Sequence, residues 1–368
     1  MIDVPHLRFP EFTGEWASCR ISDILCIGNG RDYKHLNKGN IPVFGTGGQI
    51  TSVDECLYDG ETTFIGRKGT INKPFYYNGK FWTVDTLFYT HSFNTVTPKF
   101  VYCLFQTINW LRYNEASGVP SLSKDTIEKI KVSIPCDEEQ NKISRLLFAI
   151  DERIATQNKI IEDLKKLKSA IIEEHYKQID KRCVRISELG EAFNVGNLSK
   201  EELSETGTPC VIYGELFTTY GATINKVVSH TNKSKGMTLS QKGDLLFPSS
   251  TTVDSISLIA PSVINVDNVI LGGDMFGIHI NHNHNAQYLS YYFNHIAKRQ
   301  LAKYAKGSTI IHLHYADIEN VKLLLPCEGA QKSMAKCLVS LDEKIGVENS
   351  VLSSLNCQMA YLLLQMFI

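Results

Sequence analysis

The sequence lacks the long apolar run that a membrane-spanning helix requires. Nowhere do about 18 apolar residues follow one another, and residues 1–5 are neither basic nor followed by an apolar stretch, as a secretory signal would be. We therefore expect neither a membrane span nor a signal peptide, and we expect a cytoplasmic protein.

The sequence also lacks paired cysteines. Its ten cysteines are scattered, and no C-x-x-C pair occurs, which argues against a zinc or disulfide framework. A histidine run, His279, His282 and His284, has no convincing carboxylate or cysteine partner nearby. A polar surface loop is a better interpretation of this run than a metal site. We expect no metal and no other cofactor.

Net charge is nearly absent. The 368 residues include 38 Lys and Arg against 39 Asp and Glu, so bulk charge does not indicate a nucleic-acid-binding protein. If nucleic acid is the partner, the basic residues must be gathered on one face. The 43% hydrophobic content supports packed cores, and the length corresponds to about two or three domains.

Catalytic motifs are missing. No G-x-x-x-x-G-K-[ST] loop occurs, so an NTPase is not supported. The turn Gly45–Gly48 is faintly similar to the F-x-G-x-G loop of adenosylmethionine-dependent methyltransferases. A methyltransferase that acts on a base amino group would also carry N/D-P-P-Y/F, yet none of the 11 prolines adjoins another. We interpret Gly45–Gly48 as a turn.

The sequence does contain a long helical pattern, and this pattern occurs twice. Apolar residues recur in alternating steps of four and three through residues 137–178, the spacing of a coiled-coil seam. Residues 191 positions later, within 328–368, repeat each apolar position. The predicted helix-pairing residues are Ile143, Leu147, Ile150, Ile154, Ile161, Leu164, Leu338, Leu341, Ile345, Leu352 and Leu355.

Each helix has a single apolar stripe, which must be covered. The simplest cover pairs the two stripes with each other. Because each helix follows its own domain, we expect an antiparallel coiled coil with an internal pseudo-two-fold repeat. A helix of about 35 residues spans about 50 Å, so the pair would be a spacer between two domains.

The segments that precede the helices are typical of β-rich domains. In the first, short predicted strands such as Ile41–Phe44 and Thr62–Ile65 alternate with glycine turns. The second repeats this plan, and Asp274 aligns with Asp85. We predict an α+β chain of four parts: a domain at 1–136, a helix at 137–178, a domain at 179–327 and a helix at 328–368.

The second domain is longer than the first. Its start aligns with the first domain at an offset of 165, whereas its end aligns at 191. The extra residues are expected in polar loops at 197–208 and 232–241. A common frame with different loops is typical of two copies that recognise different things.

Polar and basic loops of the first domain are candidates for DNA contact. In Gly66–Thr70, glycines let the backbone approach phosphates, and Arg67 and Lys68 can reach phosphate or a guanine edge. An ordinary charged hairpin is an equal alternative. The candidates are Arg31, Lys34, His35, Lys38, Thr46, Gln49, Arg67, Lys68, Thr70, Ser121, Ser123 and Lys124.

The second domain offers hydroxyl-rich and histidine-containing loops instead. Hydroxyl groups can read bases or merely complete a turn, and the alternating histidines can lie on a solvated strand edge or on DNA. The candidates are Ser249, Ser250, Thr251, Thr252, Lys306, Ser308, Thr309, His312 and His314.

Taken together, these features resemble the specificity subunit of a type I DNA restriction-modification system. The resemblance covers the whole chain, and the duplicated order is its most specific part. The second copy departs from the family pattern, because Gly329 and Ala330 replace the usual pair of glutamates. The matching residues are Val4–Phe12, Trp16, Ile134-Pro135, Glu138–Gln140, Ile143 and Ile150-Asp151.

The resemblance implies that each β-rich domain is a target recognition domain that reads half of a bipartite double-stranded DNA site. The helices would set the half-site spacing and dock two modification (methyltransferase) subunits. Restriction (translocase/endonuclease) subunits would join through that complex, and the chain itself would catalyse nothing. The alternative is a stand-alone DNA methyltransferase or nuclease with a divergent active site. A purified chain that methylates or cuts DNA alone would favour that alternative.

Overall fold

A computed structural model describes residues 4–233 and 235–368 of the chain. The chain divides into two compact units. Unit 1 comprises the chain up to Lys159 together with Asn349–Ile368, and unit 2 comprises Ile160–Glu348. Each unit combines β-sheets with helices, which confirms the predicted mixed α+β class.

Unit 1 consists of short strands and short helices that precede the first long helix. Its strands are β1 (Ala17–Arg20), β2 (Cys26–Asn29), β3 (Lys38–Gly45), β4 (Gly48–Val53), β5 (Tyr58–Gly66), β6 (Phe75–Thr83), β7 (Leu87–His91) and β8 (Lys131–Ile134). The helices that begin in this part of the chain are α1 (Ile21–Ile24), α2 (Pro98–Thr107), α3 (Lys124–Glu128) and the long α4 (Asp137–Gln178).

The main sheet of unit 1 has the strand order β2-β7-β5-β6-β3-β4, and β1 pairs separately with β8. Strands β3 and β6 run parallel, with Val43 opposite Trp82, whereas the other neighbours are antiparallel. The predominantly antiparallel arrangement follows from the short glycine turns, because parallel neighbours need long crossovers.

This sheet is covered on both faces, as strand β5 shows. Residues 62–65 are all fully buried. Because side chains alternate along a strand, Phe64 packs on one face with Phe44, whereas Ile65 joins the cluster on the other face that contains Phe100 of α2. Burial on both faces explains why this strand has no polar alternation.

Unit 2 contains the second set of strands and begins within α4. The strands are β9 (Arg182–Arg185), β10 (Gly190–Asn194), β11 (Leu203–Ser204), β12 (Thr208–Ile212), β13 (Thr223–Ile224), β14 (Ser229–Thr231), β15 (Thr238–Leu239), β16 (Asp244–Pro248), β17 (Ser250–Thr251), β18 (Ser262–Ile264), β19 (Ile270–Gly272), β20 (Met275–Ile280), β21 (Ile311–His312) and β22 (Lys322–Leu325). The helices are α5 (Glu215–Thr218), α6 (Ser255–Leu258), α7 (Ala286–His295), α8 (Lys298–Leu301), α9 (Tyr315–Ile318) and the long α10 (Glu328–Gln365).

Two five-stranded sheets form the body of unit 2. Their strand orders are β10-β20-β16-β18-β13 and β11-β14-β12-β19-β15, and the pairs β9-β22 and β17-β21 lie outside them. Helix α7 packs on the first sheet, and its Phe293 lies edge-on against Phe247 of β16 with ring centroids 5.2 Å apart.

The extra residues of the second domain, at 197–208 and 232–241, are expected from their composition to form polar loops. The structure shows that they also form strands. They contribute β11, β15 and the first residue of β12 to the second sheet. Cys210 in β12 is fully buried beside Leu198, because β12 finds a parallel partner in the distant strand β19. Ser234, which belongs to the expected loop 232–241, lies outside the described residues.

A buried glutamine fastens α4 to the domain that precedes it. The Oε1 atom of Gln140 accepts a hydrogen bond from the backbone N–H of Thr97 at 2.8 Å, at the N-cap of α2. Its Nε2 atom donates to the carbonyl oxygens of Pro135 at 2.9 Å and Thr95 at 3.0 Å. Gln140 has no exposed surface, so its hydrogen bonds replace those that water would make.

In unit 2, Gln331 makes the corresponding contacts at the start of α10. Its Oε1 atom accepts from the backbone N–H of Asn285, the N-cap residue of α7, and its Nε2 atom donates to the carbonyl oxygen of Pro326. Both distances are 2.9 Å. Gln331 is also fully buried.

The long helices contact each other within each unit. In unit 1, Ile143 and Leu147 of α4 share a core cluster with Met359 and Leu362 of α10. In unit 2, Ile172 of α4 belongs to a cluster with Leu338 of α10.

A charged contact accompanies the helix packing in unit 2. The carboxylate of Asp342 on α10 accepts from Lys168 Nζ of α4 at 2.6 Å and from the hydroxyl of Tyr291 in α7 at 2.7 Å. The ammonium group of Lys168 also lies 4.6 Å from the centre of the Tyr291 ring. One acidic group therefore joins three elements of unit 2.

The N-terminal arm, residues 4–16, is held against the start of α4 by an ion pair in unit 1. Arg8 donates from Nε and Nη2 to the two carboxylate oxygens of Glu139, each at 2.7 Å. The Glu139 side chain is only 1% exposed and the Arg8 side chain 14%. The bidentate geometry is the strongest form of such a pair.

The last residue of α10 and the residues that follow it also pack on this arm. The ring of Phe367 lies edge-on against Trp16, with centroids 6.2 Å apart, and stacks on Phe100 at 5.5 Å. The backbone N–H of Leu7 donates to the carbonyl oxygen of Gln365 at 2.9 Å. The arm therefore connects both ends of the chain within unit 1.

Within the described residues, no helix combines the length and the apolar character that crossing a membrane requires.

Replacement of Arg8 by Met should lower the free energy of unfolding by about 3 kcal/mol, because it leaves the carboxylate of Glu139 buried without its cation. The measurement is urea unfolding of the full chain followed by circular dichroism. Lys129→Met is the matched control, since Lys129 pairs with Asp125 on the exposed surface, and this change should alter stability by less than about 0.5 kcal/mol. Equal losses in the two variants would contradict the role of the arm.

Candidate nucleic-acid interface

Loops that are distant in sequence meet at residues 83–86 of unit 1, which are the last residue of β6 and the turn that leads to β7. The backbone N–H of Arg31 donates to Thr83 O at 2.8 Å, which brings the loop after β2 to this turn. The end of β5 reaches the turn because Arg67 N–H donates to Thr86 O at 2.8 Å. The end of β3 reaches it because Phe44 O accepts a hydrogen bond from Val84 N–H at 3.0 Å. One edge of unit 1 therefore gathers three of the predicted loops.

The basic loop at the end of β5 is bonded to the loop that precedes α3. Lys68 faces Ser121 in an isolated antiparallel bridge, and Leu122 N–H donates to Arg67 O at 2.9 Å. Gly69 turns the chain with a φ of +86°, a conformation that favours glycine. The contacts bring Arg67, Lys68, Ser121, Ser123 and Lys124 together.

These two loops line an open cavity of about 280 Å³ together with Asn29 and Phe88. The guanidinium of Arg67 lies 5.8 Å from the centre of the Phe88 ring, and its Nη1 atom donates to Asp85 O at 3.3 Å. Among the described residues no carboxylate pairs with Arg67 or Lys68. The cavity therefore presents the guanidinium of Arg67, which is held in place, beside the exposed ammonium group of Lys68.

Glu115 is the one acid that lines this cavity among its described residues. Its carboxylate accepts hydrogen bonds from the hydroxyls of Thr126 and Ser123, the latter at 2.7 Å. These two bonds, that from Thr126 first, lower the pKa of Glu115. The acid holds the start of α3 through these bonds, and it forms no ion pair with Arg67.

The remaining candidates of unit 1 are more scattered. Thr46 lies near the same edge, since its hydroxyl oxygen would be 3.8 Å from a β-carbon added at Gly69. His35 packs edge-on against Trp82, with centroids 5.8 Å apart. Lys38 begins β3, at the opposite end of this strand from the converging loops. Lys34, Gln49 and Thr70 are exposed.

Unit 2 builds a similar pair of loops from residues 249–252 and 306–314. The contacts that join them are Ser250 opposite His312 in the β17-β21 pair, Leu313 N–H donating to Ser249 O at 2.9 Å, and Lys306 N–H donating to His312 O at 2.9 Å. The rings of His312 and His314 lie nearly parallel, 6.1 Å apart.

The side chains in this second pair of loops are placed differently from those of the first. Ser249 and Ser250 are each only 5% exposed, and the Ser250 hydroxyl donates to Asp274 Oδ2 at 2.7 Å. Lys306 is exposed and donates to Asp317, which lowers the pKa of that carboxyl. The candidates that the structure leaves exposed are Thr252, Ser308, Thr309 and His314, while Thr251 is half-buried.

Sequence reasoning did not select several residues of these sites. Asn29, Phe88 and Glu115 line the cavity of unit 1, and Asp274 holds Ser250 in unit 2. For Asp274, the sequence signal was its alignment with Asp85. Asp85 follows β6 and Asp274 follows β19, so each lies in the loop after a strand. Nothing in the local sequence marked the other three.

The histidine run in unit 2 is divided among structural contacts. His279 bonds through Nδ1 to the buried carboxylate of Asp244 at 2.6 Å and stacks on Phe193, with centroids 4.2 Å apart. His284 lies 3.4 Å from Nε2 of Gln331. These two histidines face different partners rather than a common centre.

Two stretches of the chain, residues 13–166 and 179–356, match the family model described as type I restriction modification DNA specificity domain. Together they cover far more than half of the chain. The chain belongs to this family. Each of the two matched stretches contains one of the loop pairs.

Among curated relatives, the type I restriction enzyme MjaVIII specificity subunit of Methanocaldococcus jannaschii is 24% identical over 259 residues. The alignment covers 64% of this chain and 60% of the relative, so the chain spans less than two thirds of that relative's length.

Solved structures share the fold. The crystal structure of the type I restriction-modification S subunit from M. genitalium matches with a TM-score of 0.70 and 15% identity, over 100% of this chain and 99% of that one. A chain from a study of complex assembly and conformational transition in the type I restriction-modification system matches with a TM-score of 0.54 and 14% identity, over 95% and 96%.

Replacement of Asp274 by Ala should loosen the second loop pair, because Ser250 loses the acceptor that holds its hydroxyl. Hydrogen exchange measured by mass spectrometry should become faster in residues 249–252 and 306–314 of the full chain. Asp267→Ala is the control, since Asp267 caps a different loop through Lys242 N–H. Unchanged exchange in the loop pair would show that Asp274 does not organise it.

Proposed function

We propose that this chain is the DNA sequence-specificity subunit of a type I restriction-modification complex. Each β-rich domain reads one half of a bipartite double-stranded DNA site, and the chain itself catalyses no reaction. The observation that carries the proposal is a pair of loops in each domain, joined by the same backbone contacts but bearing different side chains. This arrangement suits recognition of two different half-sites.

The proposed organisation has four parts. Residues 1–136 are the first target recognition domain and 179–327 the second, and residues 137–178 and 328–368 are the two conserved helices. Support comes from the pairs β1-β8 and β9-β22, each of which closes its domain just before a long helix begins.

An internal repeat accounts for contacts that occur once in each unit. Gln140 and Gln331 are 191 residues apart, and each bonds the N-cap of a domain helix and the carbonyl oxygen of a proline. A buried amide must find hydrogen-bond partners, because each unmet hydrogen bond would cost about 1–3 kcal/mol. Both glutamines find the same kinds of partner, which supports a common architecture in the two units.

A tyrosine and an aspartate form a second repeated contact. Burial and the neighbouring Asp151 raise the pKa of Tyr102 in unit 1. In unit 2 burial and the hydrogen bond to Asp342 likewise raise the pKa of Tyr291. The two aspartates are again 191 positions apart, which supports the pseudo-two-fold repeat.

We propose that α4 and α10 pair as an antiparallel coiled coil. In unit 1 the first part of α4 packs against the last part of α10, and in unit 2 the last part of α4 packs against the first part of α10. This order of contacts is the one that antiparallel pairing requires. Of the helix-pairing residues, those that are buried are Ile143, Leu147, Ile150, Ile161, Leu338 and Leu355, and those that are half-buried are Ile154, Leu164, Leu341, Ile345 and Leu352.

In this proposal the helices set the spacing of the half-sites and dock two modification subunits, through which restriction subunits join. Residues 349–368 carry no charge, yet Tyr361 and Leu364 in α10 are 58% and 73% exposed. Exposed apolar side chains on an uncharged helix suit a protein interface. The solved structure that matches with a TM-score of 0.54 comes from a study of complex assembly in the type I restriction-modification system.

Exchange of residues 1–136 for those of a family member with another target should change one half-site of the methylated sequence. The measurement is sequencing of methylated sites in a host that also expresses the modification subunits. Exchange of residues 179–327 is the matched control and should change the other half-site. A change in both half-sites after either exchange would contradict the two-reader proposal.

Ile150→Asp should destabilise the helix pair by several kcal/mol, because it buries an unpaired charge in the core of unit 1. A lower melting temperature and loss of co-purification with the modification subunit are expected. Ile160→Asp is the control, since Ile160 lies on the same helix but is 39% exposed, and it should assemble normally. Normal assembly of the Ile150 variant would contradict the proposed seam.

The alternative is a stand-alone DNA methyltransferase or nuclease. The purified chain, incubated with DNA in the absence of the other subunits, distinguishes the two. The specificity-subunit proposal predicts neither methylation nor cleavage, whereas either activity would overturn it.

A further inference from the structure

The loop pairs of the two units can be aligned contact by contact. Define the first loop as residues 67–70 in unit 1 and 249–252 in unit 2, and the second loop as 115–124 and 306–314. In both units the second loop donates one backbone hydrogen bond to the first residue of the first loop, to Arg67 O and Ser249 O, each at 2.9 Å.

Two further contacts fix the register between the units. Lys68 faces Ser121 as Ser250 faces His312. Glu115 N–H donates to Ser121 O at 3.0 Å as Lys306 N–H donates to His312 O at 2.9 Å. Arg67 therefore occupies the position of Ser249, and Lys68 occupies that of Ser250.

The side chains at these positions differ where the backbone does not. Unit 1 presents Arg67 and Lys68, whereas Ser249 and Ser250 are buried in unit 2. Because the backbone contacts of the loop pair are common to both units, a difference in what the two loop pairs recognise comes from their side chains.

Arg67 and Lys68 are held in different ways. The guanidinium of Arg67 lies over the Phe88 ring and gives one donor to Asp85 O, which leaves other donors of its planar fork for a ligand. Lys68 is exposed, and among the residues that the structure describes none forms a hydrogen bond or an ion pair with its ammonium group. A fixed fork suits the two acceptors on the major-groove edge of guanine, whereas a free ammonium suits a phosphate.

We infer that Arg67 is a specificity-determining residue that reads a guanine in the half-site of the first domain, and that Lys68 beside it contacts a phosphate. The inference rests on the proposed function, because it needs the first domain to bind DNA. The second domain has a buried serine in place of Arg67, so its half-site is read from other positions of the loop pair.

The test uses the complex of the full chain with its modification subunits. Wild type, Arg67→Met and Lys68→Met are compared by sequencing of methylated sites and by binding to duplexes of the wild-type target. In Arg67→Met, discrimination at one guanine of the first half-site should fall by tenfold or more. In Lys68→Met, affinity should fall for all sequences, and the salt dependence of binding should weaken by about one ion.

A chemical probe isolates the contact of Arg67. Substitution of that guanine by 7-deazaguanine removes its N7 acceptor and should weaken wild-type binding by about tenfold, but should leave Arg67→Met binding unchanged. Equal losses in both proteins, or an unaltered half-site in Arg67→Met, would overturn the assignment. Lys131→Met, which removes an exposed cation of β8 outside the loop pair, should behave as wild type.

The outcomes separate the inference from the function on which it rests. If the wild-type complex methylates no bipartite sequence, the proposed function fails. If it methylates a bipartite sequence whose first half-site tolerates every base in place of guanine, only the inference fails. Unchanged stringency at the second half-site shows that each variant is folded and assembled.

Discussion

A buried glutamine at the start of each long helix is the contact on which the rest of the structure depends. The amides of Gln140 and Gln331 have no access to water, so their hydrogen bonds must be met by the protein. They are met only where a helix N-cap and a proline carbonyl oxygen come together. This requirement fixes the direction in which each long helix leaves its domain. The apolar stripes of the helices then have a defined orientation in which to pack.

Both units have the glutamine contact and the long helix that follows it, but other side chains at equivalent positions differ. Ala330 stands where the first copy has Glu139, and only Glu139 has an arginine from the N-terminal arm to pair with. Met359 stands where the first helix has Lys168, whose ammonium meets Asp342. The departures from the repeat therefore occur where one copy has a partner that the other lacks. The loop pairs differ in the same way, with a basic first loop in unit 1 and buried serines in unit 2.

Local sequence was sufficient for features that depend on near neighbours. Residues 62–65 form a buried strand and residues 41–44 lie within another, as β-branched and aromatic residues between glycine turns predict. Helix α2 ends at Thr107, and a single 3-10 turn follows it at Trp110–Tyr113. Features that depend on distant partners were missed. Strands β11 and β15 join the second sheet of unit 2 within segments 197–208 and 232–241, where polar composition predicted loops. Glu115 acquires a role only once Ser123 and Thr126 are folded against it.

The central claim is that one chain carries two different readers held apart by paired helices. Sequencing of methylated sites in a host that expresses this chain with its modification subunits, and no other methylation system, tests it most directly. The account predicts an asymmetric sequence of two specified parts separated by a spacer of fixed length in which any base is tolerated. A single continuous recognition sequence, or methylation that persists when this chain is omitted, would contradict it.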